Sequence, residues 1–274
     1  MVVARDGHIV FEKYYRGAAP AARLGVFSIT KSVTSLLVGI ALQRGDVANL
    51  DSRLAEFFPR DVRGARDRRV RRITVRQLLT MTAGYRDVPT ARADDWVRTQ
   101  IDRPLATNPG AAFAYDNGSY HLLSALLTKV TGKTADAYAR QVLFRPLEIR
   151  QERWPTDGQG HSLGNTGLEL RPRDLLELGE LVLHGGRRHR RQIVPAAFVR
   201  AATRRQTRIA PGLDYGYGWW ILTRRGPRTV AALGYGGQAI CVLPDQRLVI
   251  VVTGSGDDRE RVVYGLVLPA LGIG

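Results

Sequence analysis

Ser28 and Lys31 stand three residues apart at the start of a helically spaced apolar run, so a hydroxyl and an amine project from one helix face within reach of each other. A serine hydroxyl is a weak nucleophile until a neighbouring base takes its proton. A lysine does this only when burial or nearby cations bring its pKa down from ~10.4. A helix N-terminus at Ser28 also favours the negative charge that develops there during attack. Taken alone, the spacing also suits a capping serine followed by a solvated lysine.

Two further stretches carry chemistry. Tyr115-Asp116-Asn117-Gly118 precedes a helical pattern from Gly118 to Val130. A tyrosine whose phenolate is stabilised by cations can act as a general base, and an asparagine amide can both donate to a substrate carbonyl and tether a lysine. The same four residues also read as a turn, with Asn117-Gly118 supplying its backbone geometry. Gly234-Tyr235-Gly236-Gly237-Gln238 lies between two apolar strand patterns, where paired glycines mark either a bulge or a place where a ligand approaches the backbone. For a substrate along that edge, the backbone N–H groups of Ser28 and Gln238 would be the two donors to an oxyanion.

These residues are distant in the chain, so the elements that carry them must bring them together. Residues 2 to 15 alternate apolar and polar about Asp6-Gly7, a pair suited to a type I′ hairpin turn. Ile29, Val33, Leu36, Leu37 and Ile40 predict a helix from Ser28 to Gly45 with one buried face. Helical spacing then recurs at Val75 to Thr82, Asp94 to Ile101, Gly118 to Val130, Ala135 to Leu143, Arg173 to Leu183 and Pro195 to Ala202. Strands are expected at Tyr217 to Leu222, Thr229 to Leu233, Gln238 to Leu243 and Arg247 to Thr253, with a closing helix from Arg259 to Leu271. The expected fold class is α/β of the α+β type: an antiparallel sheet built from both chain ends, flanked by helices, with an inserted helical region. That gives a discontinuous sheet domain over 1–50 and 205–274, a mainly helical domain over 51–204, and a site at their junction.

Composition narrows the partners. A chain of 274 residues with 44% hydrophobic and 24% charged residues can bury an ordinary globular core. No apolar run approaches the ~20 residues of a membrane span, and the first residues lack the apolar core of a signal peptide. The chain therefore reads as soluble and cytoplasmic as given, or periplasmic or secreted if residues precede Met1. The net charge of +16 is nearly all arginine, spread along the chain apart from clusters at Arg63 to Arg72 and Arg187 to Arg191, which argues against a nucleic-acid-binding face. Five histidines without ligand spacing and the single Cys241 predict no metal and no cofactor. The sequence does not set the oligomeric state.

Together, the three stretches resemble the Ser-x-x-Lys, Tyr-x-Asn and Lys-Thr-Gly-type motif set of serine β-lactamases and penicillin-binding proteins. Further stretches are similar to the class C-like branch that includes esterases and 6-aminohexanoate-dimer hydrolases. They are Phe27 to Ser32, Leu78 to Tyr85, Arg173-Asp174-Leu175 followed by Gly179, Tyr215 to Trp220, and Gly234 to Gln238. The resemblance implies acyl transfer to a small-molecule ester or amide substrate. Ser28 would be the nucleophile, Lys31 and Tyr115 would move its proton, the Ser28 and Gln238 amides would hold the oxyanion, and Asn117 would orient the substrate beside Tyr235-Gly236-Gly237. Tyr85, Trp154, Tyr217 and Trp219 are candidates for the cleft lining. The departure is Tyr235, where β-lactamases of this fold carry lysine: a cation would pair with a substrate carboxylate, a tyrosine offers only a hydroxyl. An esterase or amide-oligomer hydrolase is therefore placed ahead of a true β-lactamase or a D-alanyl-D-alanine carboxypeptidase, with a non-catalytic binding protein of the same fold as a further alternative.

Overall fold

The computed structural model describes residues 1–15, 17–86, 95–150, 152–254, 256 and 259–273. Its centre is an eight-stranded antiparallel sheet in the order β2-β1-β12-β11-β10-β9-β8-β7. The first two strands are β1 (Val2–Arg5) and β2 (His8–Glu12). The others, all from the last third of the chain, are β7 (Thr207–Ala210), β8 (Leu213–Tyr215), β9 (Trp220–Leu222), β10 (Thr229–Leu233), β11 (Ala239–Leu243) and β12 (Leu248–Val252). The β1–β2 turn is the expected one, with Asp6 at φ 53° and Gly7 at φ 78°. Two-residue pairs, β3 (Leu24–Gly25) with β4 (Glu169–Leu170) and β5 (Arg187–Arg188) with β6 (Arg191–Gln192), lie outside the main sheet.

Between the two chain ends run α1 (Ile29–Arg44), α2 (Leu54–Phe57), α3 (Pro59–Gly64), α4 (Val75–Leu79), α5 (Trp96–Ile101), α6 (Asn117–Thr131), α7 (Ala135–Ala139), α8 (Pro172–Leu183) and α9 (Ala196–Ala202). Alternation along the strands gives the sheet two apolar faces. Val2, Ala4, Val230, Ile240, Val249 and Val251 join the main core, while Val3, Ala231, Cys241, Leu248 and Ile250 form a second layer with Val263, Val267 and Leu268 of the C-terminal helix. One contiguous core runs from the sheet's inner face through α1 and α6 to α4 and α5. Helix α8, within the 51–204 stretch, packs on β11 and β12. It can approach because Gly179 has no side chain: a Cβ there would lie 2.4 Å from Val249.

Several local expectations shift. Helix α1 is buried all round, not on one face: every residue from Ile29 to Ala41 is buried. Its short hydroxyls tolerate this because they find backbone partners: Ser32 donates to Gly218 (2.6 Å), Thr34 to Gly164 (2.8 Å) and Ser35 to Tyr217 (2.6 Å), while Thr30 accepts from the Leu168 amide (3.4 Å). The strand expected from Tyr217 begins only at Trp220, because Gly218 turns the chain at φ 79°. Strands β7 and β8 escaped notice: they are short and carry Arg208 and Asp214, with a turn through Pro211-Gly212 between them. The closing helix is π-helical over Arg261–Val267 before Leu268–Ala270. The segment Tyr235–Gly237, expected between two strands as a bulge or a ligand-approach site, is a turn joining β10 to β11, with Gly236 at φ 70°.

Candidate active site

Ser28 sits where the chain leaves β3 and enters α1. Val26 donates to the Leu168 carbonyl (2.9 Å), and Phe27 then adopts φ 48°, a left-handed conformation that turns an extended segment sharply into a helix. Ser28 itself is the N-cap residue, yet its side chain caps no backbone N–H. Its Oγ is therefore committed elsewhere.

Lys31, one turn on and only 2% exposed, reaches back to it. Lys31 Nζ donates to Ser28 Oγ (2.9 Å), to Asn117 Oδ1 (2.8 Å) and to the Asn165 carbonyl (2.9 Å). Tyr115 Oη donates to the same Ser28 Oγ at 2.9 Å, and Lys31 Nζ lies 5.0 Å from the centre of the Tyr115 ring. The alternative of a capping serine with a solvated lysine is thereby removed. The Tyr115 ring is held from behind by Trp220, stacked at 6.1 Å with an interplanar angle of 16°.

Asp116, between these residues, builds the element. It is the N-cap of α6, accepting from the amides of Gly118 (3.2 Å) and Ser119 (2.8 Å), and it forms a buried bidentate pair with Arg103 (2.8 and 3.1 Å). Arg103 in turn lies 4.4 Å from the centre of the Tyr85 ring. Gly118 is the residue that admits the guanidinium, since a Cβ there would stand 2.4 Å from Arg103 Nη2.

On the opposite side the β10–β11 turn presents Tyr235, 77% exposed, with its ring 5.7 Å from that of Phe27. Gly236 and Gly237 both take positive φ, and a Cβ on Gly237 would lie 1.9 Å from the Gly256 carbonyl. Gln238 is buried and its side-chain amide donates to the Gly254 carbonyl (2.5 Å), while Arg259 donates to the carbonyl of Gly234 (3.3 Å). A cavity of about 550 Å³ opens beside Ser28, lined also by Tyr115, Trp220 and Tyr235.

The structure thus brings Ser28, Lys31, Tyr115 and Asn117 together. The four aromatics expected to line the cleft do not: Tyr85, Trp154, Tyr217 and Trp219 are buried in the core. Tyr85 lies beneath Arg103, Trp154 Nε1 donates to the Leu163 carbonyl (2.8 Å), and Tyr217 Oη accepts from Arg76 (2.8 Å). Trp219 and Trp220 are chain neighbours, so they point to opposite sides, and Trp220 is the one at the cavity. Sequence reasoning also missed Asn165, whose contribution is a backbone carbonyl that no residue type advertises, and Arg103. Asp116, quoted only as part of the Tyr115 to Gly118 stretch, was missed as well, although an aspartate just before a helical run is a capping signal. Among the described residues no group of three His, Cys, Asp or Glu is placed to hold a metal.

A fold in which a hydroxyl is held between a buried amine and a phenol, at the junction of an antiparallel sheet and a helical region, defines a class. The chain belongs to the beta-lactamase family, whose model matches residues 1–267. It is 29% identical over 178 residues to a D-aminopeptidase of Cereibacter sphaeroides (strain KD131 / KCTC 12085), an alignment covering 57% of this chain and 32% of that protein. The chain thus spans about a third of the length of the curated relatives it matches. Among solved structures it resembles a Bacillus anthracis protein provisionally assigned as a 6-aminohexanoate-dimer hydrolase (TM-score 0.84, 21% identity, 98% of this chain and 77% of that one). It also resembles a D-stereospecific amidohydrolase from Streptomyces sp. (TM-score 0.78, 19% identity, 98% and 93%). Among the described residues no helix is long and apolar enough to cross a membrane.

Proposed function

We propose that this chain is a soluble serine hydrolase that cleaves a small-molecule ester or amide through an acyl-enzyme on Ser28. The observation that carries it is the position of Ser28 Oγ, 2.9 Å from both Lys31 Nζ and Tyr115 Oη. With the lysine neutral, Nζ accepts the hydroxyl proton as Ser28 Oγ bonds to the substrate carbonyl carbon. The oxyanion that forms takes hydrogen bonds from the backbone N–H groups of Ser28 and Gln238. Tyr115 passes a proton to the departing oxygen or nitrogen, the carbonyl reforms and the leaving group separates. Water then repeats the sequence on the acyl-enzyme, giving its proton to the Lys31–Tyr115 pair and restoring Ser28. Asn117 holds Lys31 through Oδ1 (2.8 Å), and on this reading it orients the substrate beside the nucleophile.

The exposed Tyr235 supports an ester or amide substrate over a β-lactam, because no cation stands at that position to meet a carboxylate. The kinship with proteins named D-aminopeptidase and D-stereospecific amidohydrolase adds D-amino-acid amides to the substrates worth testing. An active-site fluorophosphonate tests the assignment: it should label the protein and leave Ser28→Ala unlabelled, and equal labelling of both would sink it. Nitrocefin turnover matching the best p-nitrophenyl ester would reverse the argument from Tyr235.

A further inference from the structure

Among the described residues, the cavity beside Ser28 is bordered by only part of the site. Ser28 and Tyr115 line it, whereas Lys31, Asn117 and Gln238 do not. Most of the remaining wall is apolar: Trp220, Leu222, Leu233 and Cys241 come from the sheet, and Val263 and Tyr264 from the C-terminal helix.

Sheet register explains the hollow. Trp220 pairs with Ala231 and Ala231 with Cys241, a row that spans two strand spacings, roughly 9.5 Å. Next in the row, Cys241 pairs with Ile250. Between the large Trp220 and Ile250 this row carries only the small Ala231, fully buried, and Cys241, whose side chain forms part of the cavity wall. Burial pushes the Cys241 thiol up to about 12, so it is a neutral piece of apolar wall and not a second nucleophile. Three charged side chains share the lining: Arg259 donates to the Gly234 carbonyl (3.3 Å), Glu260 pairs with Arg225 (2.8 Å), and Arg224 is exposed.

We infer that this cavity receives the leaving group of the substrate and that the group is an apolar alcohol or amine. The inference rests on the acyl-enzyme chemistry proposed above. Tyr115 must hand a proton to the departing atom, so that atom lies next to Tyr115 Oη, and whatever is bonded to it extends into the space that Tyr115 borders. Cys241 and Leu222, on the sheet side of that space, set how long and how broad the group is.

Two ester series separate the possibilities. In methyl, butyl and hexyl acetate only the alcohol grows, and acid release is followed by titration. In p-nitrophenyl acetate, butyrate and hexanoate only the acyl group grows. We expect kcat/KM to climb along the alcohol series by up to about fourfold per methylene buried, and to change less along the acyl series. Cys241→Leu and Leu222→Trp should each lower the hexyl-to-methyl ratio by about tenfold or more. Leu222 is only half-buried, so its variant keeps the test alive should Cys241→Leu fail to fold.

A flat alcohol series, a steeper acyl series, or variants that slow methyl and hexyl acetate equally would overturn the inference. If Ser28 is labelled by the fluorophosphonate while the alcohol series is flat, the leaving-group pocket falls and the hydrolase stands. Absence of both labelling and turnover would overturn both.

Discussion

At the scale of single residues, the site's chemistry depends on one oxygen having two proton-handling neighbours. Lys31→Met removes the amine but keeps most of the stem's volume, and Tyr115→Phe removes only the hydroxyl and leaves the ring stacked on Trp220. Each is expected to lower kcat/KM for a p-nitrophenyl ester by about 10²- to 10⁴-fold. The double variant should cost little more than the worse single one, because the groups act as a unit. Steady-state kinetics beside a thermal melt check both points, and a multiplicative double loss would show that the two groups act independently. Asn117 accepts a hydrogen bond from Lys31 Nζ (2.8 Å), so Asn117→Ala should shift the pH dependence of kcat/KM as well as its size.

At the scale of elements, the start of α6 is held by a buried charge pair. Asp116→Ala leaves the Arg103 guanidinium buried without its partner and removes the helix cap, a loss of about 3–5 kcal/mol measurable by urea unfolding. An unchanged midpoint would mean that water reaches Arg103. The turn before β11 depends on backbone conformation instead. Gly237→Ala puts a side chain at φ 87° and drives its Cβ against the Gly256 carbonyl, at a cost of about 1–3 kcal/mol. Because Gln238 follows directly, turnover should fall further than the melting temperature alone accounts for.

At the scale of the whole molecule, the edge of the sheet is tied to the helix layer through charge. Glu12 on β2 accepts from Arg173 on α8 (2.8 and 2.6 Å), and the Arg173 guanidinium holds the Glu12 carboxyl down at about 2, against an ordinary 4.5. A carboxylate lowered on folding stabilises the native state above its unfolded value. That contribution is intact above about pH 4.5 and fades as the pH falls toward 2. Glu12→Gln should therefore narrow its stability deficit against the parent protein as unfolding is measured at successively lower pH. A constant deficit would assign the effect to packing.

How much of this was written in the chain differs by kind of interaction. That Ser28, Lys31, Tyr115 and Asn117 would act together was what the family resemblance implied; what was legible locally was the Asp6-Gly7 hairpin and the Gly45 stop of α1, at φ 78°. Such features depend on turn preferences and helical periodicity, which are properties of neighbouring residues. Only the tertiary structure decided that α1 is buried all round, that the Asn165 carbonyl completes the lysine's setting, and that Trp220 faces the cavity while Trp219 enters the core. The cavity itself belongs to this second group. Its wall joins side chains of β9, β10 and β11 to Val263 and Tyr264 of the C-terminal helix and to Ser28 and Tyr115, and packing among segments so far apart in the chain is not encoded in any local pattern.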